Sequence, residues 1–240
     1  MADSYTFKVI GVIHSPCKEK FAVPRQAGLV PELRAQVEIV PEYARAEAFH
    51  TLEGFSHIWL LSVFHQAIRE QWQPTVRPPR LGGNKGVGVF ASRSPFRPNP
   101  IGMSLVELTR LERRDGVLFL HIEGCDLVDG TPIIDIKPYL PYADLEANAR
   151  SGYTSDFSMA SLSVKFSDEA QQLCQFYEDK GFDNLMVLVT RLIQQDPRPA
   201  YVADAAQRHY VFRLYDFDVV FSVNEQGAIV ETFREIKTVV

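Results

Sequence analysis

Apolar and polar positions alternate with period two through much of the first half of the chain, and that alternation predicts strands. Phe7 to Ile13 is apolar and β-branched, Gln36 to Val40 alternates, and His57 to Phe64 is aromatic and apolar throughout. Leu105 to Leu111 and Val117 to Ile122 flank Arg113-Arg114-Asp115-Gly116, and the Asp-Gly pair tolerates the positive φ of a hairpin turn. Asp129-Gly130 marks another turn before a strand over Pro132 to Ile136. The stretch Pro41 to Phe49 is the one helix predicted in this part, with Pro at its first turn. Many short strands with no helix between each pair predict a mainly β fold, an antiparallel β-barrel and not a parallel α/β sheet.

The texture changes near Asn148, where small polar residues read as a linker. Beyond it, Ser167 followed by Asp168 and Glu169 caps a predicted helix with Ala170, Leu173, Phe176 and Tyr177 on one face, ending at Gly181. Leu185, Leu188, Val189, Leu192 and Ile193 follow the helical period until Asp196-Pro197-Arg198-Pro199 stops them. Phe217, Val219, Phe221 and Val223 then alternate, turn at Asn224 to Gly227, and return through Ile229 to Ile236 as a hairpin. The expected division is a barrel domain over 1–148 and a small α+β domain over 149–240.

Length and composition bound the picture without narrowing it. The 240 residues, 46% hydrophobic and 23% charged, suit an ordinary globular protein able to bury a full core. No apolar run is long enough to cross a bilayer, and the first residues lack a basic and an apolar leader region, so a cytoplasmic location is expected. Cys17, Cys125 and Cys174 are far apart with no C-x-x-C pair, and read as reduced structural thiols.

Charge placement adds more. Between Gln71 and Val106 stand Arg77, Arg80, Lys85, Arg93 and Arg97 and no acid, although the whole chain carries a net charge of -5. The run Gly88 to Gly102 concentrates two of these arginines with three prolines and Asn99. Such a local reversal suits a surface that meets phosphate, because the electrostatic attraction depends on where the cations sit and not on their sum. A proline-rich loop that lacks acids is the plainer alternative.

Other candidates weigh differently. The cluster Gly82-Gly83-Asn84-Lys85-Gly86-Val87-Gly88 matches neither G-x-G-x-x-G nor the P-loop spacing, and reads as a glycine-rich connection. The six histidines show no metal-binding spacing, so no metal is expected. His65 and Gln66 end a predicted strand, where ligand-contacting groups gather, with His65 equally a satisfied structural histidine. Within Lys20 to Gln26, Arg25 suits an anion and Gln26 a base edge, or the loop is merely solvated. Asp126, Asp129, Asp135, Lys137, Tyr139 and Tyr142 fall close together, fit for a cationic ligand or proton transfer, with Asp129 equally a turn former before Gly130.

Taken together, GVIHSPCKEKFAVPRQ, LEGFSHIWLL, VFHQ, PTVRPPRLGG, GVFASRSPFRPNPIGMSLVEL, LVDGTPIIDIKPYLP and the late DPRPAY closely resemble the TrmO-type tRNA methyltransferases with their TsaA-like domain. The resemblance spans nearly the whole chain. It implies an S-adenosylmethionine-dependent enzyme that methylates N6 of threonylcarbamoyladenosine at tRNA position 37, on a β-barrel unlike Rossmann-type methyltransferases. It also implies a homodimer with its site near the subunit boundary and the tRNA anticodon arm as partner. By motif position, Pro24, Arg25, Gln26, His65, Gln66, Arg93, Leu105 and Asp126, Leu127, Val128 and Asp129 would form the cofactor shell, the last four partly through backbone carbonyls. Arg77, Arg80, Arg97 and Asn99 would touch tRNA. Asp135 is the expected base, with Lys137 or Tyr142 orienting the modified adenine. A non-catalytic S-adenosylmethionine- or RNA-binding regulator, and a methyltransferase for a small molecule or protein, are the rival readings.

Overall fold

Alternation carries directly into the sheet. The computed structural model describes residues 4–78, 85–155, 161–198 and 208–236, and they form a mainly β protein. Six strands, β1 (Gly11–His14), β2 (Arg34–Ile39), β3 (His57–Val63), β6 (Ile101–Arg114), β7 (Val117–Glu123) and β8 (Pro132–Pro138), close into a ring in the order β1-β2-β7-β6-β3-β8. Every pairing in the ring is antiparallel. A separate ribbon pairs β4 (Thr75–Val76) with β5 (Val87–Gly88).

Period two sends one set of side chains inward. Along β3 these are Ile58, Leu60 and Ser62, and their cross-strand partners on β6 are Val106, Ser104 and Gly102. The interior is therefore aliphatic at one end and small or polar at the other.

A second sheet follows a helical turn, α1 (Pro141–Asp144). It has the order β10 (His209–Leu214), β11 (Phe217–Asn224), β12 (Gly227–Glu235), β9 (Val164–Phe166), with only the last pair parallel. Helices α2 (Asp168–Glu178) and α3 (Leu185–Gln194) accompany it. Ser167 Oγ accepts the Ala170 N–H at 3.0 Å and caps α2 as expected. The buried face of α2 is Ala170, Cys174 and Tyr177, whereas Phe176 is exposed: a 3.6-residue period favours positions four and seven after Ala170 over position six. Ring and second sheet share one hydrophobic core, joined by a bridge between Cys17 and Leu214 and by the Tyr215 N–H donated to Pro16 O at 2.8 Å.

Some expected elements differ. Pro41 to Phe49 is not one helix but two 3-10 turns, Pro41–Tyr43 and Ala46–Phe49, interrupted at Arg45, whose backbone is extended. The first strand begins at Gly11, not Phe7, although Ile10 still exchanges backbone hydrogen bonds with Ile133 and Val40. β6 is longer than expected at both ends, and β9 and β10 carry no strong signal of their own. The thiols of Cys17, Cys125 and Cys174 are free and buried, and burial pushes those of Cys17 and Cys174 up to about 12, far from reactive thiolates.

Candidate functional site

The polar end of the ring opens into a cleft of about 670 Å³, a volume suited to a ligand of nucleoside size. Four segments far apart in sequence build it. The loop after β1 supplies Pro24, Arg25 and Gln26, and the turn after β3 supplies His65 and Gln66. The acid-free segment supplies Arg93, Arg97 and Asn99, and the loop after β7 supplies Asp126, Leu127 and Val128.

Each wall is fixed locally. The first loop is held at both ends: Lys20 Nζ donates to Gln66 O at 2.5 Å, while Arg25 Nη2 donates to Asp196 O at 2.8 Å beyond α3. Phe21 stacks on Tyr210 of β10, with ring centroids 6.5 Å apart. Arg93 Nη1 donates to Gln26 Oε1 at 2.5 Å, joining two walls of the cleft. Arg97 Nη1 donates to Ser92 O at 2.8 Å and so stiffens its own loop.

The floor holds the least ordinary group. Asp126 accepts the Ser104 hydroxyl at 2.5 Å, and burial raises its carboxyl above the usual carboxylate range. That hydroxyl, hydrogen bonds from backbone N–H groups and the nearby Arg93 only partly offset the rise. A nearly buried carboxylate beside an open cleft suits a cationic ligand, because a positive charge placed there recovers the cost of desolvation. Ser62, the next inward position on β3 after Leu60, keeps a buried hydroxyl with no partner among the described residues. Gly102 faces it across the strand pair, where a Cβ would come within 2.6 Å of Ser62 Oγ and 3.1 Å of Phe64 Cζ. A side chain there would fill the cleft floor.

The expected residues do not all converge. Arg97 and Asn99, expected on the tRNA side, line this cleft together with the expected cofactor shell. Leu105 lies on the outer face of β6, and Asp129 accepts the Ser15 N–H at 2.8 Å and Lys18 Nζ at 3.0 Å, in a tying role. The Val128 carbonyl accepts the Thr131 hydroxyl at 2.6 Å. Asp135 and Lys137 pair with each other at 2.8 Å on the outer wall of β8, and Tyr142 is exposed on α1. There the registers bring Met103, Leu61 and Asp135 into one row and Leu105, Trp59 and Lys137 into the next. Arg77 lines an adjoining cleft of about 1600 Å³ that shares Arg25, Gln26 and Arg93 with the first. Arg80 and Gly82, Gly83 and Asn84 of the glycine cluster lie outside the described residues.

Sequence reading missed Ser62, Ser104 and the aromatic walls Phe64 and Phe96. One signal was present: the inward series Ile58, Leu60, Ser62 and Val106, Ser104 turns from aliphatic to hydroxyl. Among the described residues no cluster of His, Cys, Asp and Glu could hold a metal ion, and no helix is long and apolar enough to cross a membrane.

Comparison with known proteins adds a family. The tRNA-methyltransferase O N-terminal domain matches residues 12–145, and the TrmO C-terminal domain matches 159–236. A tRNA (adenine(37)-N6)-methyltransferase of Escherichia coli is 46% identical over 225 residues, covering 93% of this chain and 95% of its own length. A putative S-adenosylmethionine-dependent methyltransferase, RcsF, of Pseudomonas aeruginosa is 44% identical, covering 90% of this chain and 91% of its own. The crystal structure of TrmO from Pseudomonas aeruginosa superposes with a TM-score of 0.79 at 35% identity, covering 96% of this chain and 98% of that one.

Proposed function

The chain belongs to the TrmO family of tRNA methyltransferases, and from that premise we propose that it methylates N6 of threonylcarbamoyladenosine at position 37 of tRNA, holding S-adenosylmethionine in the cleft at the ring's polar end. The family makes it an S-adenosylmethionine-dependent tRNA (adenine-N6)-methyltransferase. The threonylcarbamoyl group is our own addition. The observation that carries the assignment of the cleft is Asp126, a nearly buried carboxylate under a rim of Arg25, Arg93 and Arg97. A cationic donor suits the floor and an anionic RNA the rim.

The residues fit that donor. Gln26, His65, Gln66 and Arg93 offer hydrogen-bonding groups to a nucleoside and an amino-acid carboxylate, Leu127 and Phe64 offer apolar contact, and Asp126 faces a positive centre. When bound, S-adenosylmethionine supplies an electrophilic methyl group on a sulfonium. The Arg93–Gln26 bond ties the loop after β1 to the acid-free segment, so one contact orients both walls. Preset walls lower the barrier by holding donor and acceptor in line and keeping water out.

The carbamoyl substituent draws electron density from N6, which makes that nitrogen a weak nucleophile and its proton more acidic. A base that takes this proton as the methyl arrives leaves N6 neutral. We assign that base to Asp135, with Lys137 or Tyr142 directing the carbamoyl or threonyl carboxylate. Both Asp135 and Lys137 stand on the outer wall beside Met103 and Trp59, so this assignment goes with a homodimer in which a second copy covers that wall. Met103 is 52% exposed there, consistent with such a cover. Residues 1–148 then act as the donor-binding unit and 149–240 as the unit that braces it.

The test is direct. Purified protein incubated with methyl-labelled S-adenosylmethionine and tRNA, with and without the threonylcarbamoyl group, should place the label on N6 of nucleoside 37 only in the modified tRNA. Equal labelling of both tRNAs would remove the carbamoyl requirement, and no labelling of either would remove the reaction.

A further inference from the structure

Two large aromatic side chains outside the first cleft have no part in the chemistry above. Trp72 is 48% exposed and Phe90 is 71% exposed, with ring centroids 6.1 Å apart and planes 31° from parallel. Leaving this much ring surface in water is unfavourable unless something covers it. Both rings flank the small ribbon. Phe90 sits in the 3-10 turn Val89–Ala91, whose Val89 side chain is buried and whose Val89 N–H donates to Pro74 O at 2.9 Å. Phe90 is thus presented by backbone that is paired on both sides of it, and Trp72 stands two residues before the bonded Pro74.

Their surroundings are cationic. The Arg97 guanidinium lies 5.8 Å from the Phe90 centroid, and Phe90 lines the adjoining cleft with Arg77, Arg25 and Arg93. No acid occurs between Gln71 and Val106. A flat apolar face set among arginines, with no carboxylate in the segment, complements a ligand that carries both π faces and negative charge. Unpaired nucleotides meet that description, because a splayed base stacks on aromatic rings while its phosphate meets guanidinium.

Resting on the reading of the first cleft as a tRNA methyl-transfer site, we propose that Trp72 and Phe90 form a stacking platform for an unpaired nucleotide next to the target adenine. The shared Arg25 and Arg93 place the platform one cleft away from the donor floor, so a loop that sends one base to Asp126 can rest a neighbour on Phe90. Stacking of this kind distinguishes an open loop from paired RNA, since a paired base has no free face to offer.

A fluorescein-labelled anticodon stem-loop RNA provides the probe, with binding followed by anisotropy and S-adenosylmethionine affinity followed by calorimetry in the same preparations. Trp72→Ala and Phe90→Ala should each weaken RNA binding roughly 5- to 150-fold, the range of one lost base stack. Trp72→Phe and Phe90→Tyr should restore most of it. The loss should be equal at low and high KCl, because stacking releases no counterions, and cofactor affinity should stay within twofold. RNA affinity unchanged in both alanine variants, with wild type binding normally, would overturn the platform alone. Parallel loss of cofactor affinity would also overturn it, by placing the rings in the donor site. Failure of the wild-type protein to bind the stem-loop would overturn the methyl-transfer reading as well.

Discussion

Arg25 Nη2 donates to the Asp196 carbonyl across 2.8 Å, joining a wall of the cleft to the end of α3. Asp196 is fixed for this role. It sits at φ +47, a conformation that Asp tolerates better than most residues, and its carboxylate is gripped by Arg198 through bonds of 2.7 and 2.8 Å. The Arg198 side chain is 11% exposed and that of Asp196 34%, so this is a partly buried, bidentate pair. The second sheet with its helices therefore braces the first loop of the ring.

Arg198→Ala should disturb that brace without touching the cleft. Leaving the Asp196 carboxylate unpaired in a partly buried place should lower stability by about 1–3 kcal/mol. The same change should raise the KM for S-adenosylmethionine more than it lowers kcat. Thermal unfolding and steady-state kinetics check both, and an unchanged KM would mean that Arg25 does not depend on Asp196.

Asp126 sets a pH dependence whose sign follows from burial. Its carboxyl titrates higher in the folded chain than in the unfolded one, so the folded state binds the proton more tightly. The stability this contributes is complete below the unfolded value and is lost as pH rises through the folded one. Asp126→Asn should accordingly raise the Tm of the ligand-free protein at pH 8, by roughly 2–4 °C per kcal/mol in a chain of this size. The gain should shrink at pH 4, while affinity for S-adenosylmethionine falls at pH 8. Unfolding scans across pH test the first part and calorimetry the second.

Gly102 and Ser62 should behave as a coupled pair. Gly102→Ala forces a Cβ against Ser62 Oγ and Phe64, and overpacking of that kind costs about 1–3 kcal/mol. Ser62→Ala alone removes a buried hydroxyl that has no partner among the described residues and should be neutral or stabilising. In the double variant the tightest contact is gone, so its destabilisation should be less than the sum of the two single changes. Additive behaviour would show that the two positions do not touch.

Arg77 faces the adjoining cleft and not the donor floor. Arg77→Ala should raise the apparent KM for tRNA and reduce the slope of log affinity against log salt by about one, with cofactor affinity unchanged. Loss of cofactor affinity would move Arg77 into the pocket.

Much of the fold is legible in the chain because strands with one buried face must alternate. The β6–β7 hairpin is the clearest case: Asp115 and Gly116 both take positive φ, as their residue types allow, and the apolar series on either side fixes the register. Pro41 to Phe49 misleads because its composition favours a helix while an extended Arg45 splits it into two short turns. Propensity decides little over nine residues when packing can override it. The cleft was legible in its members and not in its geometry. Arg93 and Gln26 are both singled out by residue type, but nothing local predicts their bond across 67 positions. The outward facing of Asp135 depends on the irregular register between Leu61 and Ser62, which periodicity alone does not reveal.

The claim on which the rest depends is that the donor lies over Asp126, beside the Arg93–Gln26 pair. A crystal structure of the protein with S-adenosylhomocysteine tests it most directly. The predicted density fills the cleft at the ring's polar end, in contact with Gln26, His65, Arg93 and Asp126. Density in the adjoining cleft beside Arg77 and Tyr153, with the first cleft holding only water, would contradict it.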